Sequence, residues 1–517
     1  MLAVGWCKNC NVPILDGRDC GVCHNRSVLL KLCKAELKPV FDKEERLYKK
    51  ILKANGIPSR EFMPKGTAFY NIMGEVIIDG NNAFRLSYDA IAQDWKVKFP
   101  KSLSNSSTSF RGSSLRKTIK ANEYILREKE NDAVRFIKDT VKRFRHLPVA
   151  VSFSGGKDSA VTLALTRLAK VRPDVIFLNT TIEFNETVRH VRSLAKLWRV
   201  NLIEVRPPHD FFELCKELGP PSVIMKWCCK TQKFSPQNQL INERYPRGVL
   251  VFGGIRSKES NIRSRFRKIQ RNRMIPKQVL AFPILKWSSL DIWLYLLSRG
   301  IPYNKMYQYG FARIGCWACP EKSSRDLALI RMTKPDLAKK LSQMLEEYAD
   351  LAGIKDSHDW IMSGEWRHRR TKWLKTVVCT SSQLCSAVDE FAYVVTDASH
   401  MRRLREFLKV FGKTSENEFM TKIESSQIDI TIIGNRIRVR PKAPTILKVF
   451  EKQIARALNC VGCGACVGVC PVGALEIESG EIRIGPGCMK CLQCITANGI
   501  RMSCVSVNYR PHVLAVT

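Results

Sequence analysis

The stretch VAVSFSGGKDSAVTLALTRLAK, from Val149 to Lys170, runs from an apolar segment through a glycine turn into a regular amphipathic pattern. This reads as a buried strand, a tight loop and a helix. The amides of such a loop and the N-terminus of the helix converge on an anion, so Ser154, Gly155, Gly156, Lys157, Asp158 and Ser159 form a candidate phosphate site. The G-x4-G-K-[ST] spacing of a Walker loop is absent. Further apolar runs follow at DVIFLNT, NLIEVRP and GVLVFGGI, with the helical NETVRHVRSLAKLWRV among them. Strands alternating with helices at this spacing predict an α/β fold with a doubly wound parallel sheet, whose ligands sit at the carboxyl ends of strands.

Twenty cysteines are a second constraint. A reducing cytoplasm disfavours disulfides, so their spacing is read as metal ligation. Cys7, Cys10, Cys20 and Cys23 form two C-x2-C pairs on short turns, as in a zinc ribbon. Four thiolates also suit a single iron; zinc is the reading adopted because nothing at that end calls for redox chemistry. Cys228 and Cys229 adjoin, and Cys316 and Cys319 form a later C-x2-C. From Cys460 the chain reads C-x2-C-x2-C-x3-C-P, the bacterial ferredoxin spacing. The crossing rule assigns Cys460, Cys463, Cys466 and Cys504 to one [4Fe–4S] cluster and Cys470, Cys488, Cys491 and Cys494 to a second. Cys33, Cys215, Cys379 and Cys385 are left over.

A formal charge of +37 attracts phosphate, on nucleotides or along a nucleic acid. No apolar run is long enough to span a bilayer, and the first CxxC arrives before a signal core could form, so a membrane is not expected and the cytoplasm is. The chain is too long for one core. The expected units are a zinc ribbon (1–33), a small α+β module with RNA-binding potential (34–100), a serine-rich linker (101–118), the nucleotide domain (119–385), a small α+β insert (386–450) and a ferredoxin-type domain (451–517).

The SGGKDS string after an apolar strand resembles the PP-loop of the adenine-nucleotide superfamily. The segments LNTTIEFNET, WCCKTQK, GGIRSKESNIR and FPILKWSSLDIWLYLLSRGIPYNKMYQYGFARIGCWACP are similar in order and spacing to the phosphoadenosine phosphosulfate (PAPS) reductase family, over residues 150 to 320. The resemblance implies a third [4Fe–4S] cluster, on Cys228, Cys229, Cys316 and Cys319, beside a bound adenine nucleotide: PAPS, adenylyl sulfate or ATP, the last with magnesium. It implies phosphosulfate contacts at Lys233 and Arg256, with Lys157 in the loop, and nucleotide contacts at Thr180, Glu183, Glu259, Ser260 and Arg263. Arg313 belongs with these cations.

Two departures qualify the resemblance. The Glu-Cys-Gly segment that carries the attacking cysteine of adenylylsulfate reductases is not found in this sequence, leaving Cys379 and Cys385 as the nearest later thiols. The intact SGGKDS is typical of members that cleave ATP to AMP and pyrophosphate. The expected function is reduction of an adenylylated sulfate to sulfite, with electrons from the chain's own ferredoxin domain and an external low-potential donor. The alternative is an ATP-dependent sulfur transferase acting on tRNA or another nucleic acid. Cations interleaved with aromatics at NIRSRFRKIQRNR and around Trp360, Trp366 and Trp373 are the candidate nucleic-acid segments. Homo-oligomerisation is left open.

Overall fold

A computed structural model of the 517-residue chain describes residues 4–30, 36–63, 66–71, 74–100, 110–272, 274–369, 378–385, 390–395, 400–418, 420–478, 480–496 and 513–516. The centre is a six-stranded sheet in the spatial order Asn201–Val205, Asp174–Leu178, Val149–Ser152, Val249–Gly253, Gln278–Ala281, Ile269–Arg271. The first five are mutually parallel and the last is an antiparallel edge. Successive side chains of a strand point to opposite faces. Val151, Val175, Phe177, Leu250 and Phe252 accordingly pack on one face in the main core, and Ala150, Ile176, Val249 and Val251 meet Ile241, Tyr245 and Ile275 on the other. The fold is a doubly wound parallel α/β sheet. Its order reverses at Val149–Ser152, which places a ligand crevice at the carboxyl ends of that strand and of Val249–Gly253.

The N-terminal ribbon (Val4–Cys7, Val12–Leu15 and Val28–Leu29) packs on the long helix Leu115–Arg143. That helix begins inside the stretch expected as linker, capped by the Ser114 side chain. Asn122, fully buried on it, accepts from the Leu15 amide at 2.8 Å and donates to the Pro13 and Thr118 carbonyls at 2.9 and 2.8 Å. Asn122→Ala orphans two ribbon groups in the interior. The expected result is a loss of about 1–3 kcal/mol in urea unfolding, with the ribbon amides losing hydrogen-exchange protection first.

Residues 36–98 form a five-stranded antiparallel sheet with the helix Asp42–Ala54. This unit is tied to the nucleotide domain by a buried polar cluster. Glu44 receives the Lys38 ammonium and the Tyr48 hydroxyl, and Arg325 of the nucleotide domain lies 3.8 Å from the same carboxylate.

Two expected boundaries shift. The strand Val378–Cys385, placed by sequence in the nucleotide domain, pairs antiparallel with Glu390–Val395 and so belongs to the next sheet. Val513–Val516, placed in the ferredoxin domain, pairs with that same strand. The seven-stranded sheet also contains Lys413–Glu416 and Met420–Glu424 beside the hairpin Ile428–Ile433 and Arg436–Pro441. A strand's backbone groups need ladder partners, and here one comes from the next segment and one from near the end of the sequence. Among the described residues, no helix is long and apolar enough to cross a membrane.

Candidate active site and metal centres

The crevice is built on three glycines. Gly155 has φ +72°, and a Cβ there would lie 2.9 Å from the methyls of Thr187 and Val191. Gly254, just past Val249–Gly253, lies against the first turn of the helix Lys157–Leu168, where a Cβ would come within 2.6 Å of the Asp158 and Ser159 backbone. Gly156 caps that helix. Among the first-turn donors, the Lys157 amide already donates to the Tyr307 hydroxyl at 2.9 Å. Ser154 and Ser159 hydroxyls lie 3.3 Å apart.

A cavity of about 420 Å3 opens over this loop. Ser154, Gly156, Lys157, Asp158 and Ser159 line one side, and Glu183, Lys233, Arg263 and Arg313 the other, with Cys316 and Cys319 at its wall. Lys157 Nζ is 2.9 Å from Asp158. Arg256 does not line the cavity. Its side chain is 3% exposed, donating through Nε to Asp158 at 2.5 Å and through Nη1 to Glu36 at 2.7 Å. Arg256, which the resemblance puts at the phosphosulfate, is here ion-paired with two carboxylates beside the loop. Burial opposes the Asp158 charge, but Lys157 and Arg256 outweigh it and hold the carboxyl well below its usual range. Glu259 accepts from the Arg256 amide and from the Arg263 guanidinium. Ser260 is spent on the Arg263 amide, at 3.2 Å, and does not line the cavity. Glu36 and Tyr307 were not found by sequence reasoning. The first comes from a separate module, and the second carries no motif.

Thr180 donates to Glu183 at 3.0 Å and lies 3.4 Å from Cys316 Sγ. The Trp317 amide, donating to Ile182 at 2.9 Å, clamps the second cysteine loop against this segment. Cys228 and Cys229 sit on the one-turn helix Trp227–Cys229, which continues through the π-turn Lys230–Phe234 into Ser235–Arg244. The Cys228 thiol is pushed up by its hydrogen bond with Cys229, then by burial and by Cys316 and Cys319. Hydrogen bonding from Cys228 lowers Cys229 to about 6, with Lys233 assisting. Lys233 faces Cys316, which raises its ammonium above the ordinary range.

The ribbon sulfurs of Cys7, Cys10, Cys20 and Cys23 lie within 4.8 Å of one another, as one ion in a tetrahedral shell requires. Burial and then the adjoining thiols push Cys10 up to about 12, a repulsion that a divalent cation removes. In the tail, Cys463, Cys466, Cys470 and Cys494 are buried, Cys460 and Cys488 half-buried and Cys491 exposed. Gly462 and Gly464 turn with positive φ, and the Gly462 and Ala474 amides donate to Cys460 and Cys470 sulfurs at 3.4 and 3.2 Å. Such amide-to-sulfur bonds are the means by which a protein holds a cluster. Cys494 is pushed up by burial and feels Cys488 and Cys470, three of the four ligands assigned to the second cluster. Cys504, like Cys33, lies outside the described residues.

Residues 148–322 match the phosphoadenosine phosphosulfate reductase domain, and residues 457–476 a 4Fe-4S binding domain. An uncharacterized protein of Methanocaldococcus jannaschii is 30% identical over 477 residues, covering 71% of this chain and 96% of its own. The chain belongs to the phosphoadenosine phosphosulfate reductase family. An adenosine 5'-phosphosulfate reductase of Bacillus cereus is 25% identical over 175 residues, covering 33% of this chain and 72% of that one. A solved phosphoadenylyl-sulfate reductase of Candida auris overlays with TM-score 0.29 at 20% identity, covering 35% of this chain and 89% of that one. The likeness to the archaeal relative extends past the reductase domain of the family into the flanking modules.

Residues 360–369 carry packing roles. Trp366 is buried, Trp360 stacks on Tyr348 with centroids 6.0 Å apart, and Arg369 donates to the Pro220 and Leu218 carbonyls. Trp373 lies outside the described residues. Next to the loop, the His190 Nε2 is buried without a hydrogen-bond partner among the described residues, and its ring lies 6.2 Å from Phe153. Burial lowers its pKa from 6.5 to about 4. The unfolded chain therefore takes the proton first, and this contribution is complete above pH 6.5 and lost as pH falls toward 4. Relative to His190→Leu, the native protein is expected to lose up to about 3 kcal/mol across that window, read as urea midpoints.

Proposed function

We propose that the chain is a sulfonucleotide reductase: it cleaves the sulfur–oxygen bond of PAPS or adenylyl sulfate, releasing sulfite and the adenine nucleotide. The bond's electron pair leaves with the phosphate oxygen, and two electrons reduce sulfur to sulfite. Those electrons arrive from an external low-potential donor through the chain's own ferredoxin module. The reading rests on one observation, the seat of that module. Its cysteine loop docks on the turns that directly follow Cys228 and Cys229: Ser235 donates to the Gly464 carbonyl, Asn238 to the Gly468 carbonyl at 2.5 Å, and His209 Nε2 lies 2.8 Å from the Gly462 carbonyl. Cys463 and Cys228 belong to one cluster of buried residues.

In this scheme the loop amides and Lys157 hold the nucleotide phosphate, while Lys233, Arg263 and Arg313 face the anionic sulfate across the cavity. A cluster on Cys228, Cys229, Cys316 and Cys319 would supply one-electron chemistry beside it. A second reading, ATP cleavage to AMP and pyrophosphate followed by sulfur transfer, is favoured by the intact loop with its Lys157–Asp158–Arg256 bridge.

One assay separates the readings. Anaerobically purified protein is incubated with PAPS or adenylyl sulfate and a low-potential donor, and separately with ATP. Sulfite from the first without pyrophosphate from the second is the expected outcome. Pyrophosphate release stimulated by tRNA, without sulfite, overturns it.

A further inference from the structure

The strands of the central sheet begin at the end opposite the catalytic crevice, and a second cavity of about 550 Å3 opens there. Its lining includes Arg143, His146, Arg247, Arg271 and Lys277, and no carboxylate. Among the described residues, Arg143, Arg247, Arg271 and Lys277 form no ion pair, although the protein elsewhere pairs many of its surface cations. Cations gather at helix C-termini, which accounts for Arg143 at the end of Leu115–Arg143. It does not account for Arg271, on the edge strand Ile269–Arg271, or for Lys277, in a turn before Gln278–Ala281.

Two further features belong to the same surface. Phe144 and His146 line the cavity with ring centroids 6.4 Å apart, and His146 is exposed. The edge strand runs from the catalytic end to this one and ends on the exposed Arg271. A cationic concavity without ion pairs, with an exposed imidazole and an open sheet edge beside it, matches the backbone charge and the bases of a single strand.

We propose that this far-end cavity, with the adjoining edge, binds single-stranded nucleic acid. The cations hold successive phosphates, and the exposed His146 ring offers a face to a base. The site is separate from the catalytic crevice and independent of which reaction occurs there.

The test uses the full chain and a fluorescein-labelled twelve-residue oligouridylate, with anisotropy read over a salt series. Four phosphate contacts predict a slope of log K against log salt of about −3. The quadruple variant Arg143→Glu, Arg247→Glu, Arg271→Glu, Lys277→Glu is expected to lose about thirtyfold or more in affinity and most of that slope. A control reverses the same number of exposed charges elsewhere (Lys53→Glu, Lys120→Glu, Lys339→Glu, Lys355→Glu) and is expected to bind within about threefold of the native chain. Equal loss in both variants means that net charge alone attracts the strand, and overturns the site. Undiminished binding by the quadruple variant overturns it too. Inorganic tripolyphosphate is the second probe: if it competes with the oligonucleotide at equal phosphate concentration, the cavity holds a small phosphate and the nucleic-acid assignment fails.

Discussion

Arg256→Met is expected to destabilise the protein by about 3–5 kcal/mol, the largest effect among single substitutions in the nucleotide domain. The guanidinium bridges Asp158 and Glu36, and its removal leaves Glu36 without its cation and Asp158 with Lys157 alone. The cost comes chiefly from those under-compensated charges and much less from the lost contacts. Arg256→Lys keeps the charge but cannot present two separate donors in a fixed fork, so an intermediate loss is expected. Urea unfolding at neutral pH checks both. The pH dependence follows from Asp158, whose folded pKa is depressed. A depressed carboxylate adds stability above its unfolded value, about pH 4, and that stability is lost as pH falls toward the folded value. The difference between native and Arg256→Met proteins should therefore be full at neutral pH and shrink below about pH 4. A difference that persists unchanged at pH 3 would show that packing, and not charge, makes Arg256 indispensable. Nucleotide affinity, measured by calorimetry, should fall as well, because Asp158 then draws on Lys157 alone and its charge is less fully offset at the loop.

The second large effect is expected at the module seat. A Cβ on Gly468 would lie 2.6 Å from the Ser235 Cα, a backbone position that cannot yield as a flexible side chain does. Gly468→Ala is expected to cost the docked arrangement about 1–3 kcal/mol and so to deplete it by about tenfold or more. Iron and acid-labile sulfide should be unchanged, because no ligand is altered. Hydrogen exchange at Ser235–Asn238 should rise, and sulfite production driven through the tail should fall in proportion. Electron delivery that stays at the native rate while exchange rises would sink the proposed route.

Much of the central architecture was legible because strand–turn–helix periodicity is a local property: GVLVFGGI and DVIFLNT announce buried parallel strands wherever they occur. The ribbon cysteines were legible for the same reason, since C-x2-C places two sulfurs on one turn. Long-range partnerships were not. Glu36 sits in a stretch without motif character, and only the folded chain brings it 2.7 Å from Arg256. Arg256 was read as a phosphosulfate contact, and its two carboxylate partners were not foreseen because sequence shows a charge but not what pairs with it. The strand Val378–Cys385 was assigned to the wrong side of a boundary because its ladder partners lie on later segments. Tyr307 was missed because a hydroxyl aimed at one loop amide leaves no spacing to read.

The Glu36–Arg256 contact has a bearing on how such a polypeptide can be cut or recombined. A truncated form starting after the first hundred residues would keep every recognisable signature of the nucleotide-binding unit yet lack one of the two carboxylates that neutralise its innermost arginine. The apparently dispensable leading portion is thus a structural subunit of the pocket, and the two must be inherited, expressed and exchanged together.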